Sequence, residues 1–99
     1  MTTSTETDTV VKTQVKEPGL WNVILYNDNQ TSMEFVVLVL MQVFHKNFEE
    51  SSQLMTQIHE HGHGVAGVYP YEIALHKQED VIYSARAHGY PLRCEIQEA

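Results

Sequence analysis

The sequence predicts an α+β domain in which three helices pack on a small three-stranded antiparallel sheet, in the order βααβαβ. Three segments carry apolar residues at helical spacing, and short apolar stretches bounded by Gly or Pro lie between and around them. With 99 residues, the chain has room for one domain at most. No internal repeat is visible, which excludes a solenoid.

Residues 1–19 are predicted to form a flexible N-terminal arm, and residues 20–99 the folded core. The arm consists mostly of Thr, Ser, Glu, Asp and Lys with scattered Val, so it cannot bury enough apolar surface to offset the entropy lost on ordering. Pro18 and Gly19 mark the boundary between the two parts.

The first strand and the first helix follow the arm. In residues 20–26, alternation places Val23 and Leu25 on one face of a strand. Thr31 stands three residues before Glu34, the spacing of a capping box, and therefore predicts the start of the first helix. Apolar residues occur on both sides of this helix, so either two faces are buried or one faces a ligand.

The second helix and the second strand come next. Asn47 followed by Glu50 repeats the capping pattern, and the helix is expected to end near His61, before Gly62. Residues 64–69 are apolar and rich in glycine, which is typical of a strand that lies close to other backbone.

A third helix and a third strand complete the domain. Pro70 suits the first turn of a helix, because its missing N–H has no helical partner there. The helix is predicted over residues 71–88 with Gly89 as its stop, and residues 92–96 form the last strand. The residues predicted for the inner face of this helix are Ile73, Ala74, Lys77, Val81, Ser84 and Ala85.

The charge balance excludes several classes of partner. Thirteen acidic residues against six basic ones give a net charge of −7, so the clustered Lys/Arg face of a nucleic-acid binder is missing. DNA, RNA and anionic lipid are therefore not expected as partners. The longest apolar run, residues 35–41, is far shorter than the roughly 20 residues that span a bilayer, so we expect a soluble protein.

The single cysteine and the N-terminal residues bear on the compartment. Cys94 cannot form an internal disulfide, which fits a reducing environment. The first 16 residues lack the apolar core of a secretion signal. The expected location is the cytoplasm.

The segment between the first strand and the first helix is the first candidate binding site. Asn27 and Asp28 supply an amide and a carboxylate beside apolar side chains, although an Asx turn before a capped helix would have the same composition. His59 adds an imidazole near the end of the second helix. These three groups suit an ammonium ion, which offers three donors and no acceptor, provided that His59 is neutral.

Residues 22–35, N-V-I-L-Y-N-D-N-Q-T-S-M-E-F, resemble the signature of the ClpS family, which usually ends N-D-D-x-T-x-M-E-F. The resemblance covers about residues 20–99. Further matches, in the family's order, are Gln53, Leu54, Met55, Ile58, His59, Gly62, Gly64, Val65, Gly67, Val68, Glu72, Ala74, Lys77, Ala85, Pro91, Leu92 and Cys94.

The resemblance implies a non-catalytic adaptor; no cofactor is expected, and a monomer is the default because the sequence does not reveal the oligomeric state. Such an adaptor captures proteins that begin with Leu, Phe, Tyr or Trp and have a free α-amino group. It delivers them to an AAA+ unfoldase of the ClpA or ClpC type, which works with the ClpP peptidase, and the N-terminal arm assists delivery. The resemblance does not distinguish between the two unfoldases.

The resemblance also implies roles for individual residues. Asn27, Asp28 and His59 match the residues that bind the α-amino group. The slot for the first side chain corresponds to Thr31, Met33, Val36, Met55, Ile58 and Leu92, with Met33 as the gatekeeper against β-branched residues. The surface that docks on the unfoldase corresponds to Glu72, Lys77 and Gln30.

Three other functions stay open. A ClpS fold with altered specificity is one, because Asn29 replaces the usual second aspartate of the signature. A metal site at His59, His61 and His63 is another, although alternate residues do not share one helical face. A general interaction domain would show no dependence on a free N-terminus. An enzyme is not expected, because nothing in the sequence brings a base to Cys94.

Overall fold

The computed structural model describes residues 19–99, and the fold class and element order are as predicted. The predicted flexible arm, residues 1–19, lies outside the described residues except for Gly19. The elements are β1 (Leu20–Tyr26), α1 (Met33–Gln42), α2 (Phe48–His61), β2 (His63–Pro70), α3 (Tyr71–Ala87) and β3 (Arg93–Glu98). None of the helices in this part of the chain is long and apolar enough to cross a membrane.

β1 is the central strand of a three-stranded sheet with the order β2-β1-β3, and both pairings are antiparallel. Tyr26 at the end of β1 lies opposite His63 on one side and Arg93 on the other. This register places the end of β1 beside the start of β2, which follows α2 after a single residue. The loop after β1 and the end of α2 therefore meet at one edge of the sheet.

The core lies between the sheet and the helices. Val23 and Leu25 are fully buried in it, which confirms the predicted inner face of β1. Ile24 points to the other face and is buried outside the core cluster. The other buried core residues are Phe35, Val36, Val39, Leu40, Phe44, Ile58, Ala66, Ala74, Val81, Ala85, Leu92 and Cys94.

The predicted start of α1 is wrong by one residue. Ser32 is the N-cap, and its hydroxyl oxygen accepts the N–H of Phe35 at 3.1 Å. Thr31 belongs to the preceding loop, where its hydroxyl is turned towards Asp28 and donates to its Oδ2 at 2.8 Å. The capping-box spacing pointed to Thr31 because Glu34 follows it by three residues, whereas Ser32 caps the helix without such a partner at position 35.

The predicted capping box of α2 is confirmed. Asn47 accepts the N–H of Glu50 at 2.8 Å, and Glu50 accepts the N–H of Asn47 at 3.3 Å. The helix ends at Gly62, which has a φ of 91° and donates its N–H to Ile58 at 2.8 Å. This left-handed conformation favours glycine, so the chain can reverse there into β2.

The inner face of α3 is partly as predicted. Ala74, Val81 and Ala85 are buried, but the prediction for Ile73 is wrong, because 48% of its surface is exposed. Consecutive residues of a helix are about 100° apart around its axis. When Ala74 faces the core, the side chain of Ile73 is therefore turned away from it. The last strand begins at Arg93, and Leu92 is a buried loop residue just before it.

Candidate functional site

The loop after β1 is organised by the carboxylate of Asp28. Its Oδ1 accepts the N–H groups of Gln30 at 2.8 Å and of Thr31 at 2.7 Å. Its Oδ2 accepts the Thr31 hydroxyl at 2.8 Å. The Asx turn considered from the sequence is therefore present. A carboxylate has about four lone-pair sites, so Asp28 can hold the loop and still accept a further donor.

The same hydrogen bonds keep Asp28 ionised. Partial burial raises the pKa of its carboxyl group, but the N–H groups of Thr31 and Gln30 and the Thr31 hydroxyl outweigh this effect. The net result is a pKa below its ordinary value of 3.8. At neutral pH the loop therefore presents a negative charge.

The loop and the end of α2 are joined by the backbone. The N–H of Asn27 donates to the carbonyl of Gly62 at 2.9 Å. His59 lies three residues before Gly62, within one helical turn of this contact. Asn27 and His59 are both exposed, and within residues 19–99 neither side chain is hydrogen-bonded to a protein group. The amide, the carboxylate and the imidazole therefore lie at the same edge of the sheet.

The six slot residues divide into a buried and an accessible half. Val36, Ile58 and Leu92 are 7%, 2% and 1% exposed. Thr31 and Met55 are half-buried and Met33 is exposed.

The loop that carries Leu92 is held by a residue that the sequence reasoning missed. The Nη1 group of Arg86 donates to the carbonyl of Tyr90 at 2.9 Å and to that of Leu92 at 3.1 Å. An arginine six residues from its partner gives no sequence signal, because the contact depends on how the chain turns at Gly89, whose φ is 79°.

A second missed feature is an apolar groove between α1 and α2. It has a volume of about 410 Å³. Two of the predicted slot residues, Met33 and Met55, are shared with it. Its lining residues are Met33, Glu34, Val37, Phe48, Ser52 and Met55. From the sequence, the apolar residues on both sides of α1 meant either two buried faces or one face turned to a ligand, and Val37 lines this groove.

Comparison with known proteins now identifies the family. The family described as "ATP-dependent Clp protease adaptor protein ClpS" matches residues 16–95 of this chain. The chain belongs to the ClpS family. This confirms the resemblance seen in the sequence. Membership implies a Clp AAA+ partner and peptide-like substrates, and the adaptors of this family are non-catalytic.

Curated relatives cover nearly the whole chain. The ClpS adapter protein of Campylobacter jejuni strain 81-176 is 44% identical over 93 residues, which are 94% of this chain and 97% of the relative. That of Oleidesulfovibrio alaskensis is 43% identical over 98 residues, which are 99% of this chain and 94% of the relative.

A solved ClpS structure shares the fold. It is Agrobacterium tumefaciens ClpS2 bound to L-phenylalaninamide, with a TM-score of 0.81 and 30% identity. The alignment covers 84% of this chain and all of that one. The order of helices and strands predicted from the sequence is thus that of a ClpS protein.

The structure separates the three residues matched to the ClpS docking surface. Glu72 is exposed in the first turn of α3. Gln30 lines a depression with Arg86, near the other end of α3. Because Glu72 and Arg86 are 14 residues apart on one helix, about 21 Å lies between the two regions. Gln30 thus lies towards the end of α3 opposite to Glu72, and the docking role of all three residues stays a prediction.

Lys77 has contacts inside the ClpS domain. Its Nζ donates to the carbonyl of Val43, the residue that ends α1, at 2.7 Å, and it lies 5.5 Å from the centre of the Tyr69 ring. A cation at this position satisfies a free helix-end carbonyl and complements the helix dipole. Lys77 therefore joins α3 to α1.

The other side chains considered from the sequence as reactive groups are Cys94 and the histidines around the end of α2. Cys94 is buried, and desolvation followed by the charge of Glu95 raises its pKa to about 12, so the thiol is neutral. His63 stacks on Tyr26 with the ring centres 6.0 Å apart. Across residues 19–99, no group of three His, Cys, Asp or Glu side chains is placed to hold a metal ion.

Proposed function

We propose that this ClpS protein binds substrates that begin with Leu, Phe, Tyr or Trp and have a free α-amino group. It then delivers them to a Clp AAA+ unfoldase of the ClpA or ClpC type. The main support is the hydrogen bond from Asn27 to Gly62, which draws the acidic loop to the His59 end of α2. The resulting edge combines polar acceptors with the buried floor at Val36, Ile58 and Leu92.

The polar half of the site binds the α-amino group. An ammonium ion offers three donors, and the amide oxygen of Asn27, the carboxylate of Asp28 and an imidazole nitrogen of His59 supply three acceptors. The lowered pKa of Asp28 keeps its charge opposite the ammonium at neutral pH. The related Agrobacterium tumefaciens ClpS2 binds L-phenylalaninamide, a compound with a free α-amino group and a bulky apolar side chain.

The apolar half binds the first side chain, and neither half suffices alone. Burying a Leu or Phe side chain contributes about 1.5–3 kcal/mol, and each charge-assisted hydrogen bond about 1.5–3 kcal/mol. Association itself costs at least about 4 kcal/mol. At the upper end of these ranges, three hydrogen bonds together with a buried side chain reach about −8 kcal/mol, which corresponds to micromolar affinity, and neither half reaches it alone.

Fluorescence anisotropy with labelled peptides tests this function. We expect a peptide that begins with Leu to bind, whereas its N-acetylated form and a peptide that begins with Val do not. Equal binding of the free and acetylated forms would indicate a general interaction domain. Absence of binding to all of them would indicate a ClpS fold with altered specificity.

Met33 tests the gate. Its side chain is 46% exposed at the rim of the slot, so removing it should cost little stability. We expect Met33→Ala to bind peptides that begin with Val or Ile more tightly, because β-branched side chains then fit. Unchanged discrimination between Leu and Val would mean that another residue forms the gate.

Delivery requires a second surface, for which we propose the exposed start of α3. Glu72 is the accessible charge there, whereas the Lys77 ammonium already contacts Val43. We expect Glu72→Lys to slow degradation of a Leu-tagged substrate by the unfoldase and peptidase without changing peptide affinity. Loss of peptide affinity in this variant would show that α3 acts on the slot instead.

A further inference from the structure

The groove between α1 and α2 runs along the face of α2 that also carries His59, one of the residues proposed to bind the amine. His59, Met55, Ser52 and Phe48 follow one another at separations of four, three and four residues, which places them on a single helical stripe. Met55, Ser52 and Phe48 line the groove. The stripe from His59 to Phe48 is about 16 Å long, at 1.5 Å per residue.

The groove is apolar and open. Phe48 is 66% exposed at the start of α2 and lies outside the buried core cluster, so packing of the core does not require an aromatic side chain there. Met33 and Val37 line the opposite wall on α1. The only charged lining residue is Glu34, so the groove favours apolar side chains and disfavours acidic ones.

We propose that this groove binds the third side chain of the substrate, with a preference for an apolar residue there. The proposal depends on the proposed function, because the first residue must occupy the slot. In an extended peptide, alternate side chains point the same way and lie about 7 Å apart. The third side chain therefore points to the same face of the protein as the first, at about 7 Å from it. Met33 and Met55, which belong to both the slot and the groove, form the passage between them.

Three peptides of matched length separate the effect of position from that of composition. They begin Leu-Ser-Ser, Leu-Ser-Leu and Leu-Leu-Ser, and each is also prepared in the N-acetylated form. By anisotropy, we expect Leu-Ser-Leu to bind about fivefold more tightly than Leu-Ser-Ser, which corresponds to burying roughly half of a Leu side chain. Leu-Leu-Ser should bind like Leu-Ser-Ser, because its second side chain points away from the groove.

Two variants test whether the groove causes the difference. Phe48→Ala removes most of one wall, and the affinity ratio between Leu-Ser-Leu and Leu-Ser-Ser should fall to about one. Tyr83→Ala is the matched control, because Tyr83 is an 80% exposed aromatic residue on α3 that does not line the groove. This control should keep the ratio.

The outcomes distinguish the two proposals. If Leu-Ser-Ser binds only in its free form but Leu at position three adds nothing, the groove proposal is overturned and the proposed function stands. A ratio that persists in Phe48→Ala also overturns it. Failure of every free peptide to bind overturns both. Concentration-dependent dimers in sedimentation that disappear in Phe48→Ala would instead assign the groove to a second copy of the chain.

Discussion

Replacing Gly64 with alanine is expected to lower both stability and substrate affinity, because this glycine allows β2 to pack closely on α2. A Cβ atom at position 64 would lie 2.9 Å from Cγ1 of Ile58 and 3.2 Å from Cδ1 of Leu54. Gly64 is not among the glycines with a positive φ, so the cost is steric and not one of backbone strain. Ile58 must move away from β2.

Two opposing effects set the size of the change. Overpacking a buried contact costs about 1–3 kcal/mol. Losing a glycine from the unfolded chain stabilises by about 0.4–1 kcal/mol. The steric effect is larger, so Gly64→Ala should lower the free energy of unfolding by about 1–2 kcal/mol. Gly19→Ala is the control, because its Cβ would lie at an ordinary 3.6 Å from Oε2 of Glu98.

The binding effect follows from the same displacement. Ile58 is buried at the proposed floor of the slot, and moving it away from β2 reduces the volume of the slot. Urea denaturation gives the stability change, and anisotropy compares peptides that begin with Leu and with Trp. We expect the Trp peptide to lose more affinity than the Leu peptide. Stability equal to that of Gly19→Ala, or equal losses for both peptides, would refute this account of Gly64.

Three further predictions concern single side chains. Asp28→Asn should weaken binding of the free-amine peptide by roughly 10-fold or more, with little effect on the acetylated one. Because the pKa of Asp28 is lowered in the folded protein, its contribution to stability should be present above pH 3.8 and lost as the pH falls further. Acid titration of the unmodified protein and of Asp28→Asn checks this. The pKa of Cys94 is raised from 9.0 to about 12, so the neutral thiol's contribution to the free energy of unfolding should be complete below pH 9 and lost as the pH rises towards 12. The free energy of unfolding of Cys94→Ala should therefore fall less steeply over this range. Equal slopes for the variant and the unmodified protein would contradict the assignment. Arg86→Met should lower the free energy of unfolding by about 1–2 kcal/mol and weaken Leu-peptide binding, because the carbonyls of Tyr90 and Leu92 lose their donor. Urea denaturation measures the stability and anisotropy the affinity. Arg86→Lys should partly restore both quantities.

The order of the elements was readable from the sequence because each depends on local physics. Periodicity located the helices and strands, and the capping box at Asn47 and Glu50 marked the start of α2 correctly. The start of α1 was misplaced because Thr31 and Ser32 are both capable caps. In the folded chain the Thr31 hydroxyl faces Asp28 and the Ser32 hydroxyl faces the N–H of Phe35, and these orientations depend on the loop conformation.

The candidate site was readable only in part. The resemblance to ClpS proteins supplied Asn27, Asp28 and His59, and the structure joins the elements that carry them. The resemblance could not show that the Lys77 ammonium reaches the end of α1, or that Gln30 lies beside Arg86, towards the other end of α3 from Glu72. These are relations between distant parts of the chain, for which sequence spacing carries no signal.

By itself the sequence determined the α+β class, the family and the residue types suited to an ammonium and an apolar side chain. These follow from local periodicity and from a motif that is continuous in the chain. Only the tertiary structure decided that Phe48 borders a groove between α1 and α2, that Arg86 holds the Leu92 loop, and that Gly64 lies close against Ile58. Each of these depends on how two elements pack, and packing is set by the shape of all the side chains at once.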